Sequence, residues 1–168
     1  MKIYIIGYVG SGKTTLARRL SVSLSIPHFE TDNFVWQRQK EGDVRNPESV
    51  RDAQFSQALE QSSWIIEGVH LGWTDYAMDM ADKVIFLDIP YHTRTFRVIF
   101  RYINQRVGKE QANYQPSFVM LRKMFQWNRY FEDRMKPELL TKLGAASEKV
   151  VVVNNRKQLD DLLIEFAK

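Results

Sequence analysis

Residues 2–16 read KIYIIGYVGSGKTTL and contain the most specific structural signal in the sequence. A short apolar run at residues 2–6 stops at a glycine, and leucines then recur at helical spacing at Leu16 and Leu20. Between these two patterns, residues 7–14 match G-x-x-x-x-G-K-[ST] in full. The sequence therefore predicts a buried strand, a phosphate-binding loop and a helix, in that order.

The residue types in this loop suit a nucleoside triphosphate. Glycines allow tight or left-handed turns that direct N–H groups at phosphate oxygens, and the following helix adds its positive N-terminal end. Lys13 is expected to bridge the β- and γ-phosphates, and Thr14 to place its hydroxyl on Mg²⁺. The predicted nucleotide-binding residues here are Gly7, Val9, Gly10, Ser11, Gly12, Lys13, Thr14 and Thr15. The alternative is a glycine-rich turn whose lysine is merely solvated.

Length and composition narrow the class of protein. A chain of 168 residues with 44% apolar residues has the size of one domain and enough material for a core, so we expect a single domain over residues 1–168. The absence of cysteine excludes disulfides, iron–sulfur clusters and thiolate zinc sites. Neither a membrane span nor a signal peptide is apparent, which predicts a cytoplasmic protein. A net charge of +4 suits anionic partners such as nucleotide phosphates, nucleic acid or a phosphorylated metabolite.

Strand-like and helix-like stretches alternate along the rest of the chain. Further strands are predicted at residues 27–30 and 64–67, and two buried strands at residues 83–88 and 149–153. Asn46 is predicted to cap a helix with Pro47 at its first position, and Asn155 to cap the last helix with Gln158 placed as in a capping box. Apolar strands separated by helices indicate an α/β fold with a parallel sheet covered on both faces.

Residues 91–143, which we call the lid, hold two or three predicted helices with no strand between them. Because a sheet crossover needs only one helix, we interpret the excess as a functional insertion. Arg94, Arg97 and Arg101 share one helical stripe that can face the phosphate edge, and Arg106 continues the charge. In phosphoryl transfer such arginines neutralise charge on the transferred group. A solvated charged face is the alternative.

A later part of the lid mixes basic and aromatic side chains. Its basic residues are Arg122, Lys123, Arg129 and Arg134, and its aromatics are Phe118, Phe125, Trp127, Tyr130 and Phe131. Such a mixture can bind single-stranded nucleic acid by stacking. We favour a helix that packs its aromatics against the core.

Acidic residues follow the second and third strands, at the sheet edge where ligands bind in this architecture. Glu30 and Asp32 can divide labour, one holding Mg²⁺ through water and the other accepting a proton from an attacking hydroxyl. Asp32 could instead cap a turn with Asn33. Glu67, which precedes Gly68, could hold a water or contact substrate, or else face solvent.

Aromatic and basic residues follow Asp32. Trp36, Arg38 and Arg45 form a reasonable lining for a ring-bearing or anionic substrate, although Trp36 is as well explained as a core residue. The three histidines have no metal-ligand spacing and are interpreted as structural: His28, His70 and His92.

Four segments together carry a family resemblance: GYVGSGKTT, ETDNFVW, WIIEGVH and VIFLDIP. They resemble the small bacterial P-loop proteins called DNA topology modulation proteins, which look like members of the adenylate-kinase-like group of nucleoside and small-molecule kinases. The resemblance covers nearly the whole chain. It implies a five-stranded parallel sheet of order 2-3-1-4-5, helices on both faces, a mobile lid after the fourth strand, and ATP or GTP with Mg²⁺ as cofactors.

The resemblance also implies roles for individual residues. An acidic residue after the second strand, here Asp32, contacts the acceptor hydroxyl. Lid arginines around residues 97–106 close on the phosphates. The loop after the last strand lines the adenine pocket, which corresponds to Asn154, Asn155 and Arg156 here.

One departure from the family pattern concerns the metal. Asp88 ends an apolar strand, but Pro90 follows closely and the position is wrong for Mg²⁺ in this group. Metal support is therefore expected from Glu30, Asp32 or Glu67.

These observations favour an ATP-dependent kinase that acts on a nucleotide, nucleoside or small hydroxylated metabolite. Its predicted catalytic residues are Lys13, Asp32, Arg97, Arg101 and Arg106, its metal ligand is Thr14, and its substrate-binding residues are Glu30, Asp32, Trp36, Glu67 and Gly68. One alternative is a nucleotide-binding regulatory protein that contacts DNA through a basic lid, although +4 is modest for a DNA binder. Another is a P-loop protein that binds nucleotide without transferring phosphate.

Overall fold

Strands and helices alternate through the computed structural model, which describes residues 1–37, 39, 42–109 and 117–166. The first half contains β1 (Lys2–Gly7), α1 (Lys13–Leu24), β2 (His28–Glu30), α2 (Thr31–Val35), β3 (Trp36–Gln37), β4 (Val44–Arg45), α3 (Glu48–Leu59), β5 (Trp64–Gly68) and α4 (Asp75–Met80). The second half contains β6 (Lys83–Leu87), α5 (Tyr91–Arg106), α6 (Phe118–Tyr130), a π-helix (Phe131–Met135), α7 (Lys136–Ala145), a 3₁₀ turn (Ser147–Lys149), β7 (Val150–Val153) and α8 (Arg156–Phe166).

The main sheet is parallel, with the strand order β2-β5-β1-β6-β7. Counted along the five main strands, this is the predicted order 2-3-1-4-5. Because parallel strands end at the same edge, the loops after β1, β2 and β5 meet there. This edge positions the phosphate loop beside the residues that follow β2 and β5.

The core is built on both faces of the sheet by the period-two alternation of the strands. In β1, Tyr4 and Ile6 join one apolar cluster with α3 and α7, while Ile3 and Ile5 join a second cluster with α1 and α8. These four side chains are at most 1% exposed. Each such burial stabilises the fold by about 1.5–3 kcal/mol, which is what fixes β1 at the centre of the sheet.

Two local predictions are wrong. Asn46 does not cap α3; its Nδ2 donates to the Phe34 carbonyl oxygen at 2.9 Å, and Pro47 is the N-cap residue instead. The last strand, β7, is a half-buried edge strand, since Val152 is 44% exposed. At the final helix the cap prediction is confirmed, because Asn155 Oδ1 accepts from the Gln158 N–H at 3.0 Å.

The segment after β6 contains helices and no strand within its described residues 91–109 and 117–143, as predicted. The prediction that its aromatics pack against the core holds for Phe131, which is 2% exposed, but not for Phe118, Trp127 or Tyr130, which are exposed. No helix in the described ranges is both long and apolar enough to cross a membrane.

Candidate functional site

The phosphate loop forms the tight turn that its glycines predict. Gly10 and Gly12 have φ values of 78° and 99°, in the left-handed region, and Gly12 is the N-cap residue of α1. A Cβ at position 10 would lie 2.7 Å from the carbonyl oxygen of Arg94. The loop therefore needs glycine at position 10 for its backbone conformation and for its contact with α5.

Glu67, at the end of β5, lies directly against the motif. Its side chain is 3% exposed, its Oε1 accepts a hydrogen bond from Thr14 Oγ1 at 2.5 Å, and its Oε2 lies 3.6 Å from Lys13 Nζ. The alternative of a carboxylate facing solvent is wrong. A single buried carboxylate therefore contacts both Lys13 and Thr14.

The loop has features that fit a nucleotide and its metal ion. The hydroxyl of Ser11 is buried and has no hydrogen-bond partner among the described residues, so a phosphate oxygen could satisfy it. Thr14 and Glu67 supply the oxygen donors that Mg²⁺ prefers. Within the described part of the chain no cluster of three or more His, Asp or Glu side chains could hold a metal unaided.

Asp32 lies in the first turn of α2, and its side chain is 60% exposed. Its Oδ1 is 3.1 Å from Nε2 of His70. Burial raises the pKa of Tyr8 in the phosphate loop, Arg94 opposes this, and the charge of Asp32 raises it further. His70, predicted from the sequence to be structural, is a hydrogen-bonding partner of Asp32.

The Glu30 carboxylate contacts Arg18 and His28. The Arg18 guanidinium donates to Glu30 Oε1 at 3.1 Å, and His28 Nε2 lies 3.7 Å from the same oxygen. His28, together with Arg18, holds the pKa of the Glu30 carboxyl below its usual value, against the opposing effect of partial burial. Of the three acidic candidates for metal support, Glu67 is the one that contacts Lys13 and Thr14.

Gly68 marks a close approach between β5 and α2. A Cβ at position 68 would lie 1.8 Å from Thr31 Oγ1, and Thr31 is 1% exposed. The strand that carries Glu67 and the helix that carries Asp32 therefore touch at this point. The distance between the two carboxylates depends on that contact.

Arg94 is not on a solvated stripe. It is 1% exposed, and its Nε donates to the Ile89 carbonyl oxygen at 2.9 Å. Its other nitrogens bond to Asn128 and Glu132. Burial lowers the pKa of Arg94, while Glu132 opposes the shift.

Aromatic rings complete the surroundings of Arg94. The guanidinium lies 5.4–5.8 Å from the ring centres of Tyr8, Tyr91 and Phe131, and Tyr8 stacks on Phe131 at 4.6 Å. The predicted presentation of Arg94 to the phosphate edge is wrong. Arg94 joins the phosphate loop to α6 and the π-helix instead.

The next arginines of α5 lie nearer the loop surface. Arg97 donates to the carbonyl oxygens of Gly10 and Ser11 at 3.2 and 3.0 Å. Arg97 and Arg101 line a cavity of about 390 Å³ beside the loop. The other lining residues are Gly10, Ser11, Gly12, Thr15, Leu16, Arg19, Phe96, Phe100, Leu159 and Leu163. Arg106 is exposed and lies about 13 Å beyond Arg97 along α5.

Asn155, Arg156 and Trp36 do not line this cavity. Asn155 caps α8, and Arg156 pairs with Asp160 at 3.6 Å, so α8 contributes Leu159 and Leu163 to the cavity wall instead. Trp36 is 37% exposed, so it is not a core residue; it lines a separate open groove of about 600 Å³.

Arg45 and Asp88 each have an identified partner in the structure. The backbone of Arg45 pairs with that of Trp36 in the hairpin of β3 and β4. Arg38 lies outside the described residues. Asp88, set aside as a metal ligand, pairs with Lys136 at 2.6 Å.

Sequence comparison relates the chain to two bacterial proteins. It is 28% identical over 131 residues to an uncharacterized protein, YqaC, of Bacillus subtilis, a match that covers 78% of this chain and 72% of that one. It is 29% identical over 103 residues to a shikimate kinase of Aquifex aeolicus, covering 54% of this chain and 61% of the enzyme. No protein-family model matches the chain. Neither relative carries a name that refers to DNA topology.

Two solved structures share the fold along nearly the whole chain. A deoxyadenosine kinase of M. mycoides with bound dATP superposes with a TM-score of 0.56 at 17% identity, covering all of both chains. A shikimate kinase of Bacteroides thetaiotaomicron superposes with a TM-score of 0.52 at 16% identity, covering 98% of this chain and 95% of that one. The chain therefore has the α/β fold of kinase-like P-loop proteins, with a five-stranded parallel sheet.

Proposed function

We propose that this chain is an ATP-dependent kinase that transfers the γ-phosphate to a hydroxyl of a nucleotide, nucleoside or small hydroxylated metabolite. One observation carries the proposal. At a single edge of the sheet, Lys13 and Thr14 meet the buried carboxylate of Glu67, and Asp32 stands at the end of the neighbouring strand. This arrangement supplies cationic, metal-binding and proton-accepting groups at one edge of the sheet.

The phosphate loop would hold ATP or GTP by the chemistry of its own residues. Backbone N–H groups and the Ser11 hydroxyl would bind phosphate oxygens, and Lys13 would bind the β- and γ-phosphates. The cavity between α5 and α8 suits the nucleotide base, because Phe100 and Leu163 offer apolar walls and Arg97 and Arg101 offer planar cations.

Thr14 and Glu67 are the residues that would hold Mg²⁺, directly or through water. When bound, Mg²⁺ neutralises the negative charge shared by the β- and γ-phosphates. Glu67 also keeps the Thr14 hydroxyl and the Lys13 ammonium oriented before any nucleotide binds.

Asp32 would act on the acceptor. In the transfer, the acceptor oxygen bonds to the γ-phosphorus, the bond from that phosphorus to the β–γ bridging oxygen breaks, and ADP leaves. The hydroxyl proton passes to the Asp32 carboxylate. A carboxylate that is 60% exposed can be reached by an acceptor entering from solvent.

The lid arginines would act together with movement of the lid. Arg97 now donates to carbonyls of the phosphate loop, so it must exchange those bonds for phosphate oxygens as a nucleotide binds. Arg101 lines the same cavity. A role for Arg106 requires a rearrangement of α5, because Arg106 lies more than two turns beyond Arg97.

The named relatives support a kinase without fixing the acceptor. A shikimate kinase is among the sequence relatives, and a deoxyadenosine kinase shares the fold. Their names refer to chemically different acceptors, so the acceptor of this chain must be found by experiment. Trp36, Glu30 and Gly68 remain proposed substrate-side residues.

The test begins with an acceptor screen. Thermal-shift measurements of nucleosides, nucleotides, sugars and hydroxy acids, with Mg²⁺ and a non-hydrolysable ATP analogue, should identify compounds that stabilise the ternary complex. Radiolabelled ATP then shows whether the γ-phosphate is transferred to them.

Asp32→Asn provides the decisive variant. It preserves shape and removes the proton acceptor, so transfer should slow by about 10²–10⁴ while nucleotide affinity stays within a few-fold. Transfer by Asp32→Asn at the parent rate would exclude Asp32 as the base. Failure of every acceptor, together with ATP binding, would leave the chain as a nucleotide-binding protein.

A further inference from the structure

Asp32 needs a fixed orientation if it is to accept a proton. It sits on a helix of five residues, and its side chain is 60% exposed. A misplaced base slows transfer, so the direction of this carboxylate matters. His70 supplies a contact that can fix this direction, since its Nε2 lies 3.1 Å from Asp32 Oδ1 across 38 residues of sequence.

His70 is itself held in place by the core. Its carbonyl oxygen accepts a hydrogen bond of 2.6 Å from Thr74 Oγ1, and Thr74 is 1% exposed. Its ring lies 5.3 Å from the ring of Trp73, which in turn packs edge-on against Phe55 at 5.0 Å. A side chain anchored in this way is suited to orient a neighbour.

We propose that His70 is a positioning residue for phosphoryl transfer. Its Nε2–H donates to Asp32 Oδ1 and so fixes the direction of the carboxylate that accepts the proton of the acceptor hydroxyl. His70 touches neither nucleotide nor acceptor in this role, and it acts through Asp32. The inference rests on the proposed kinase function.

Two substitutions separate positioning from mere structure. His70→Ala removes the donor and should lower kcat by about 10–100-fold, the usual cost of losing a group that orients a catalytic residue, with KM for ATP within about twofold. His70→Gln places an amide N–H near the position of Nε2 and should recover kcat to within about fivefold. His92→Ala, an exposed imidazole on α5, is the matched control and should keep the parent rate.

A double variant tests whether the two residues act as one unit. In the Asp32→Asn background, His70→Ala should reduce kcat by less than about twofold, because the group that His70 orients is already disabled. A full additional 10–100-fold loss would overturn the proposal, and so would His70→Ala at the parent rate. If His70→Ala fails to fold, His70→Asn, whose amide is too short to reach Asp32, takes its place.

A spectroscopic measurement keeps this test separate from the kinase assay. The ¹³C carboxyl resonance of Asp32 is identified by its absence in Asp32→Asn. It should move in His70→Ala and return toward the parent position in His70→Gln, with no nucleotide present. If no acceptor is phosphorylated, the proposed function fails on its own, and an unmoved resonance is what overturns the Asp32–His70 contact.

Discussion

The two halves of the candidate site are built differently. On the phosphate side, Glu67 is 3% exposed and holds Lys13 and Thr14 from inside the core. On the acceptor side, Asp32 is 60% exposed and lies on a five-residue helix. Under the proposed function every turnover uses the same phosphates, so buried residues can form their binding site. Short surface elements, by contrast, can vary with the acceptor that a protein uses.

The largest expected effect belongs to the phosphate side. Lys13→Ala should weaken ATP binding by about 10²–10⁴, because two charge-assisted hydrogen bonds to phosphates are lost at roughly 1.5–3 kcal/mol each. Titration calorimetry measures the affinity, and circular dichroism checks that the fold persists. Unchanged affinity would remove the phosphate-binding interpretation of the loop.

The second effect is on stability and tests how firmly the phosphate loop is tied to the lid. Arg94→Ala should lower the free energy of unfolding by about 3–5 kcal/mol, since it removes a fully buried side chain, leaves Asn128 Oδ1 without its donor and leaves Glu132 with the longer contact to Lys136. Arg94→Lys should recover only part of this, because an ammonium lacks the planar fork of donors. Urea denaturation measures both; a loss below about 1 kcal/mol for Arg94→Ala would contradict a structural role.

The third effect tests whether the carboxylates of Glu67 and Asp32 have different roles. Glu67→Gln should lower kcat by about 10²-fold and raise the Mg²⁺ concentration needed for half-maximal rate, because the buried charge beside Thr14 is lost. Asp32→Asn should slow transfer without changing the Mg²⁺ requirement. Rate measurements over a Mg²⁺ titration compare the two, and an identical Mg²⁺ dependence in both variants would break the division of roles.

The smallest effect concerns Glu30, the last residue of β2. Its folded-state pKa is lowered by His28 and Arg18, so its contribution to stability is present above the ordinary pKa of a glutamate and is lost as pH falls through the lowered value. Glu30→Gln should therefore cost less than about 1 kcal/mol at neutral pH and nothing at strongly acid pH. Denaturation curves at several pH values test this, and a cost that grows toward acid pH would contradict it.

The DNA alternative is tested on the lid. Under the kinase proposal, amides of α5 and α6 should exchange hydrogen more slowly only when nucleotide and acceptor are both present. Protection by duplex DNA alone would favour a nucleic-acid-binding role for the lid.

Periodic and local signals explain what the sequence could predict. The parallel sheet, the phosphate loop and the Asn155 cap follow from apolar strands that alternate with helices, a complete motif and an Asn–Gln pair, whereas the strand order was implied by the family resemblance. The burial of Arg94 could not be predicted, because its partners Asn128 and Glu132 are 34 and 38 residues away and carry no pattern.

The acceptor side was harder to predict for the same reason. The helix α2 has five residues and the β3–β4 hairpin has two residues on each strand, too few to show a period. His70 follows Gly68 by two residues at the ligand-binding edge of the sheet, and this placement was the one available signal that it meets Asp32.

The contact between Gly68 and Thr31 has a consequence for how such chains diverge. A methyl group at position 68 would occupy the space of the Thr31 side chain, so positions 68 and 31 cannot both carry a side chain. Among homologues, a side chain at position 68 should occur together with glycine at position 31, and the pair should covary. A homologue that breaks this rule must have moved α2, and with it the residue at position 32, away from the strand that ends in Glu67.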